Sequence, residues 1–122
     1  MRLLLDTNAF IRWHGGSLKP DARREVERAD LVMVSAVSAW EIGIKRAQGK
    51  LRFPNQVEAV VASYGFLPLS VTMRHGDMIQ GLPAHHADPF DRLLIAQALD
   101  EGLTILTSDR VFELYRVPVI WT

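Results

Sequence analysis

The sequence predicts an α/β domain built on a central, mostly parallel sheet with helices on both faces. Three observations carry this expectation. Apolar runs end in polar residues at Arg2 to Leu5, Leu31 to Ser35 and Thr104 to Thr107, as buried strands do when their carboxyl ends open to solvent. Between them lie segments whose apolar residues recur at intervals of three and four, above all 36–48 and 88–102, which is the helical period. Gly and Pro punctuate these segments, with no repeat, low-complexity tract or linker, so short turns join strand to helix and a single domain spans 1–122.

Taken in order, the first strand runs into Asp6-Thr7-Asn8, which reads as loop chemistry. Pro20 stands where a first helical turn begins, and Asp21 to Ala29 reads as a short surface helix. After the strand Leu31 to Ser35, the segment Ala36 to Gln48 carries Val37, Trp40, Ile44 and Ala47 on one stripe, and Gly49 is its stop. Pro54-Asn55 introduces a helical stretch through Val57, Val60, Val61 and Tyr64, closed by Gly65, and a short strand falls within Phe66 to Val71. Asp88-Pro89 pairs an N-cap side chain with proline at the first helical position, and that helix runs to Gly102. Thr104 to Thr107 is a strand ended by Ser108-Asp109, and Val117 to Ile120 offers the last one.

The chain has 122 residues, 48% of them hydrophobic and 23% charged, which suits one domain with a real core. It has no cysteine, so a disulfide framework, a thiolate ligand and a cysteine nucleophile are excluded, and any metal must sit on Asp, Glu or His. The opening apolar run meets Asp6 too soon for a signal-peptide core or a membrane span; the expectation is a cytoplasmic protein with no membrane partner. Fourteen basic residues balance fourteen acidic ones, so no overall positive field advertises nucleic-acid binding.

The chemistry is carried by acids. Asp6 and Asp109 follow strands, Glu41 lies early in the helix from Ala36, and Asp91 lies in the first turn of the helix from Asp88. In a parallel sheet, strand carboxyl ends and the amino ends of the following helices share one edge, so the four carboxylates can converge there. Two like charges about 4 Å apart at an effective dielectric near 20 cost roughly 4 kcal/mol, which calls for a cation. Oxygen-only ligation suits Mg²⁺ or Mn²⁺, and such a site can hydrolyse a phosphodiester. Each acid also has an ordinary structural reading. Asp6 fits a turn, and Glu41 fits a capping box with Ser38. Asp91 fits a helix N-terminus through the backbone dipole, Asp88 an N-cap, and Asp109 a turn or cap before Val111 to Tyr115.

Of the remaining polar groups, Arg92 is placed to pair with a carboxylate or to contact a phosphate of the scissile strand. His85-His86 reads as a surface loop, and nothing distinguishes His14 or His75. Trp13, Trp40 and Trp121 read as core or interface residues, with no basic aromatic cluster around them. Two other functions fit the residues in part. Asp6-x-Asn8 loosely matches an aspartyl-phosphate phosphohydrolase but lacks the second aspartate, and a non-catalytic binding module could carry the same acids as caps.

Four blocks in order resemble the PIN domain, and within it the VapC-type toxins: Leu3-Leu4-Leu5-Asp6-Thr7-Asn8, Val34 to Ile42, Asp88 to Ala96 and Leu106-Thr107-Ser108-Asp109. The resemblance spans nearly the whole chain. It implies a three-layer α/β/α sandwich and an acidic quartet at Asp6, Glu41, Asp91 and Asp109, with Thr7, Asn8 and Ser108 as supporting polar groups. It further implies RNA cleavage with Mg²⁺ or Mn²⁺, a homodimer, and inhibition by a cognate antitoxin. The neutral charge points toward recognition of RNA shape, such as a structured or tRNA-like substrate or a single-stranded loop.

Overall fold

Leu3, Leu4 and Leu5 are all fully buried, yet they face opposite ways. Leu3 and Leu5 join one hydrophobic cluster and Leu4 the other, because side chains alternate along a strand. A strand buried on both faces must have a layer of helices on each, and the computed structural model, which describes residues 1–122, is built that way.

Five strands form one sheet: β1 (Arg2–Leu5), β2 (Leu31–Ser35), β3 (Leu67–Leu69), β4 (Thr104–Thr107) and β5 (Val119–Trp121). Their spatial order is β3-β2-β1-β4-β5, and every neighbouring pair is parallel. Leu4 of β1 lies opposite Met33 of β2 on one side and Ile105 of β4 on the other. The helices are α1 (Thr7–Gly15), α2 (Pro20–Arg28), α3 (Ala36–Ala47), α4 (Val57–Ser63), α5 (Met73–Met78) and α6 (Pro89–Glu101), with 3₁₀ turns at Ile79–Gly81 and Arg110–Leu114.

On one face, Leu3, Leu5, Val32, Val34 and Leu106 pack against Phe10 of α1, Ala22 and Val26 of α2 and Val60 and Val61 of α4. On the other, Leu4 and Ile105 pack against Leu94, Ile95 and Ala98 of α6, with Phe112 and Tyr115 closing the layer. This is the expected three-layer α/β/α sandwich. A buried polar link ties β2 to α6: the Ser35 hydroxyl donates to Gln97 Oε1 at 2.5 Å, and the Gln97 amide donates to the Ser70 carbonyl at 3.3 Å. Both side chains are buried, so each would be costly to leave unpaired. No helix is long and apolar enough to cross a membrane.

The sequence reading misses α1 and α5. Asp6-Thr7-Asn8 is not a loop but the start of a helix: Asp6 is its N-cap, Ala9 and Phe10 are its buried residues, and Gly16 ends it at a φ of 80°, where a side chain would be strained. At α5, Thr72 and His75 form a reciprocal capping box, a pairing in which histidine takes the place usual for Glu or Gln. The capping box expected between Ser38 and Glu41 does not form, because α3 begins earlier with Ser35 as its N-cap, leaving Ser38 inside the helix and bonded to Thr7. The last strand falls at Val119–Trp121 rather than Val117–Ile120, and β3 is trimmed to three residues that include Pro68, as suits an edge strand.

Ile105 is fully buried between β1 and α6, whereas Met73 is 91% exposed. Ile105→Ala should therefore lower unfolding free energy by about 2–5 kcal/mol in a denaturant titration, against a change within about 0.5 kcal/mol for Met73→Ala.

Candidate active site

The strand order fixes where a site belongs. From β1 the chain moves to β2 and β3 on one side and then returns to β4 on the other, which makes the carboxyl ends of β1 and β4 a topological switch point. Asp6 leaves β1 there and Asp109 stands two residues beyond β4.

Asp6 is 4% exposed and both of its oxygens are engaged. Oδ1 accepts the Ala9 N–H at 2.7 Å, capping α1, and Oδ2 accepts the Thr107 hydroxyl at 2.5 Å. Thr107 Oγ1 accepts in turn from the Asp109 N–H at 3.0 Å, and Asp109 Oδ1 accepts from the Val111 N–H at 3.0 Å, capping the 3₁₀ turn. Burial pushes the Asp6 carboxyl above its usual range, and the negative charge of Asp109 adds to the rise. Its two hydrogen bonds and the positive charge of Arg12 pull the other way.

Asp91 lies in the first turn of α6, behind its N-cap Asp88, whose Oδ1 accepts from the N–H groups of Phe90 and Asp91. Burial first, then the charges of Asp88, Asp109 and Asp6, push Asp91 up from 3.8 to about 7, against a hydrogen bond from His86 that lowers it. Asp6, Asp91 and Asp109 are thus close enough for each charge to raise the cost of another. Their oxygens are more widely set than those of the one compact trio of ligand atoms in the molecule, which lies elsewhere.

Glu41 behaves differently. It projects from the second turn of α3 with only 14% of its side chain exposed, and Lys45 lies 3.0 Å away as its own counter-ion. The α3 helix is tied toward the rim by the hydrogen bond between Thr7 and Ser38 at 2.9 Å and by the Trp40 ring set edge-on to Phe90 at 4.8 Å. Thr7 is therefore buried inside this joint, while Asn8 is exposed in the first turn of α1. Ser108 Oγ accepts from Arg12 Nη1 at 2.9 Å.

Arg92, expected to pair with a carboxylate or contact a phosphate, is instead engaged by backbone carbonyls. Its Nη1 donates to the carbonyl of Pro83 at 2.7 Å and to the Tyr115 hydroxyl at 3.0 Å, and its Nη2 reaches the carbonyls of Ile79 at 3.3 Å and Leu82 at 3.5 Å. A guanidinium caged by carbonyls ties the preceding segment to α6, and its donors are largely taken up there. Two residues that the sequence reading passed over stand closer to the chemistry. Arg12, on the helix that was not foreseen, faces Asp6 and Ser108. His86, half-buried and not a free loop residue, sits 3.3 Å from Asp91 Oδ2. Only the recognition that Asp6 is a helix N-cap would have put Arg12 two turns along that helix.

The compact trio is His75, Asp100 and Glu101. His75 is fully buried, and its Nδ1 accepts the Thr72 N–H at 3.0 Å, so the neutral ring carries its proton on Nε2. Nε2 lies 3.3 Å from Asp100 and 3.5 Å from Glu101 without a well-aligned hydrogen bond. A protonated Nε2 offers no lone pair to a cation, so this cluster is a link between α5 and α6. Away from the acidic rim, a cleft of about 240 Å³ between α3 and α4 is lined mainly by apolar groups such as Val34, Ala39, Val61 and Phe66.

A PIN domain family model matches residues 3–118. The chain is 29% identical over 125 residues to "Ribonuclease VapC22" of Mycobacterium tuberculosis (strain ATCC 25618 / H37Rv), covering 95% of this chain and 93% of that protein. It is similar in fold to VapBC2 from Rickettsia felis, bound to a DNA fragment from their promoter, with a TM-score of 0.79 and 14% identity over 100% of this chain and 99% of that one. A toxin-antitoxin complex from Klebsiella pneumoniae contains a chain that aligns with a TM-score of 0.68 and 17% identity, covering 97% of this chain and 95% of that chain.

The raised Asp91 sets a pH dependence. A carboxyl whose pKa rises on folding binds more protons in the folded state, so its stabilisation is complete below 3.8 and is lost as pH climbs through about 7. In metal-free buffer, Asp91→Asn should therefore gain melting temperature over the parent protein as pH rises from about 4 to about 8; parallel pH profiles would show that Asp91 is not perturbed.

Proposed function

The chain belongs to the PIN-domain family, and from that premise we propose that it is a metal-dependent endoribonuclease acting as the toxin of a VapBC-type toxin–antitoxin pair. The observation that carries the proposal is the gathering of Asp6, Asp91 and Asp109 at the switch point, where burial first, and then the charges of Asp88, Asp109 and Asp6, push Asp91 up to about 7. Carboxylates gathered away from water repel one another, and a bound cation offsets that cost.

The donors fit Mg²⁺ or Mn²⁺. They are carboxylate oxygens with no sulfur ligand in the chain, and their open spacing suits an ion that keeps several waters and takes only one or two carboxylates directly. Asp6, Asp91 and Asp109 would hold it, with Glu41 completing the set or orienting a water beside Lys45. When bound, such an ion supplies charge neutralisation at the scissile phosphate and an acidified water for in-line attack. Asp6 keeps a fixed orientation because Ala9 and Thr107 occupy one lone pair on each of its oxygens. Arg12, exposed at the rim beside Ser108, takes the phosphate-contacting role first expected of Arg92. Asp6, buried with both oxygens engaged, is poorly set for nucleophilic attack, which argues against the phosphohydrolase alternative.

The substrate we assign is RNA with a structured or tRNA-like shape, cut in the cytoplasm, because a chain with no net charge lacks a general field for nucleic acid. The Klebsiella pneumoniae complex supports a cognate antitoxin as partner. Trp40, 56% exposed next to the acidic rim, supports a homodimer, since large aromatic side chains are favoured where surfaces meet.

Cleavage of a small-RNA pool with Mg²⁺, with Mn²⁺ and with chelator tests the proposal. Asp6→Asn and Asp91→Asn should each lose about 100-fold or more in rate, which corresponds to several kcal/mol of transition-state stabilisation, while remaining folded. Metal-independent cleavage, or full activity in both variants, would overturn it.

A further inference from the structure

We propose that His86 is a positioning residue for Asp91, the last link of a one-directional hydrogen-bond chain that starts at Arg92 and passes through Tyr115. The inference rests on the reading of Asp91 as a metal-holding group. It starts from the observation that both ring nitrogens of His86 are engaged: Nδ1 lies 2.7 Å from the Tyr115 hydroxyl and Nε2 lies 3.3 Å from Asp91 Oδ2.

Donor and acceptor roles fix the direction. In the state that holds a cation Asp91 is ionised and only accepts, so Nε2 then carries the proton that faces it. The neutral ring then presents a lone pair at Nδ1, and the Tyr115 hydroxyl donates to it. That leaves the phenol oxygen to accept, which it does from Arg92 Nη1 at 3.0 Å, a group that can only donate. In this direction every member is satisfied, whereas the reverse tautomer would set the Nε2 lone pair against the ionised Asp91.

The links are held in place at each step. Arg92 is locked by carbonyls on the segment before α6, including Pro83 at 2.7 Å. Tyr115 is 5% exposed, and its ring is flanked by the edges of both His85 and His86. His86 itself is only 18% exposed. A carboxylate in the first turn of a helix would otherwise turn freely about its side-chain torsions. With the His86 N–H taking one lone pair of Oδ2, Oδ1 and the remaining lone pair are left oriented for a ligand. Histidine–carboxylate pairs of this kind, one step back from a cation, orient the group that touches it. The unusual position of Arg92 directly after Asp91 is explained as well: the helix turn that supplies the ligand also supplies the anchor of the chain that aims it.

The test is calorimetric titration of the full chain with Mn²⁺ at fixed pH, with RNA cleavage measured in parallel. His86→Ala should weaken Mn²⁺ binding by about 10- to 100-fold. His86→Gln, which can place an N–H where Nε2 stands, should recover most of that loss. Tyr115→Phe removes the proton donor that keeps Nδ1 an acceptor and should weaken binding by a smaller factor. Unchanged affinity in His86→Ala overturns the proposal, as does equal weakening in His86→Ala and His86→Gln, which would mean that ring volume matters and not the N–H. Should His86→Ala fail to fold, Tyr115→Phe decides, and wild-type affinity there overturns the chain. A parent protein that binds Mn²⁺ through Asp91 but cuts no RNA would sink the nuclease reading while leaving His86 in its role; a parent that binds no Mn²⁺ overturns the role of His86 itself.

Discussion

The Asp6 carboxylate is the joint on which the molecule turns. It ends the central strand, caps the first helix through the Ala9 N–H and accepts the hydroxyl of Thr107 from the neighbouring strand. Thr107 passes the tie on to the backbone of Asp109. A buried carboxylate without such donors would cost several kcal/mol, so these bonds are conditions of the fold and not additions to it. They also set the geometry of the rim, because the same bonds that satisfy Asp6 fix the spacing between the ends of β1 and β4.

Around that joint the electrostatics are deliberately unbalanced. Several cations sit on acid partners: Lys45 on Glu41, Arg74 on Asp100, Arg24 on Asp21 and Arg28 on Glu25. Arg92 is spent on carbonyls and Tyr115. At the rim only Arg12 answers Asp6, and Asp91 has only the His86 dipole against the charges of three other acids. A neutral chain can thus hold a negative hollow, because the acids gathered at the rim have few cations beside them. Overall charge, read from composition, says little about the field at one edge of a sheet.

Much of this was legible in the sequence, and for identifiable reasons. Short apolar runs ending in polar residues located β1, β2 and β4 because strands buried on both faces have little freedom in composition. Asp88-Pro89 located α6 because a cap followed by proline has few other uses. The same logic placed Asp6, Asp91 and Asp109 at strand ends and at the start of a helix, where the structure has them. What stayed hidden depends on long-range contacts. Asp-Thr-Asn serves a loop as well as an N-cap, so α1 was missed and Arg12 with it. The cage around Arg92 draws on carbonyls from Ile79 to His86 and on Tyr115, and no local pattern announces that these will meet. His86 was read as loop because its two partners are five and 29 residues away.

The ordinary readings of the acids and the functional one turn out to be compatible. Asp6 is an N-cap, Asp88 is an N-cap and Asp109 caps a 3₁₀ turn. An ionised carboxylate offers about four lone-pair sites, and a cap uses one of them. Asp6 gives up one site on each oxygen, while Asp109 gives up one on Oδ1 and Asp91 one on Oδ2 to His86. Each therefore keeps capacity directed away from its structural partner. Capping is what makes these carboxylates usable, because a side chain whose torsions are already fixed by a backbone N–H has less entropy to lose when a ligand arrives. A structural role and a ligand role are thus compatible at Asp6, Asp91 and Asp109, which sit at strand ends and at the start of a helix.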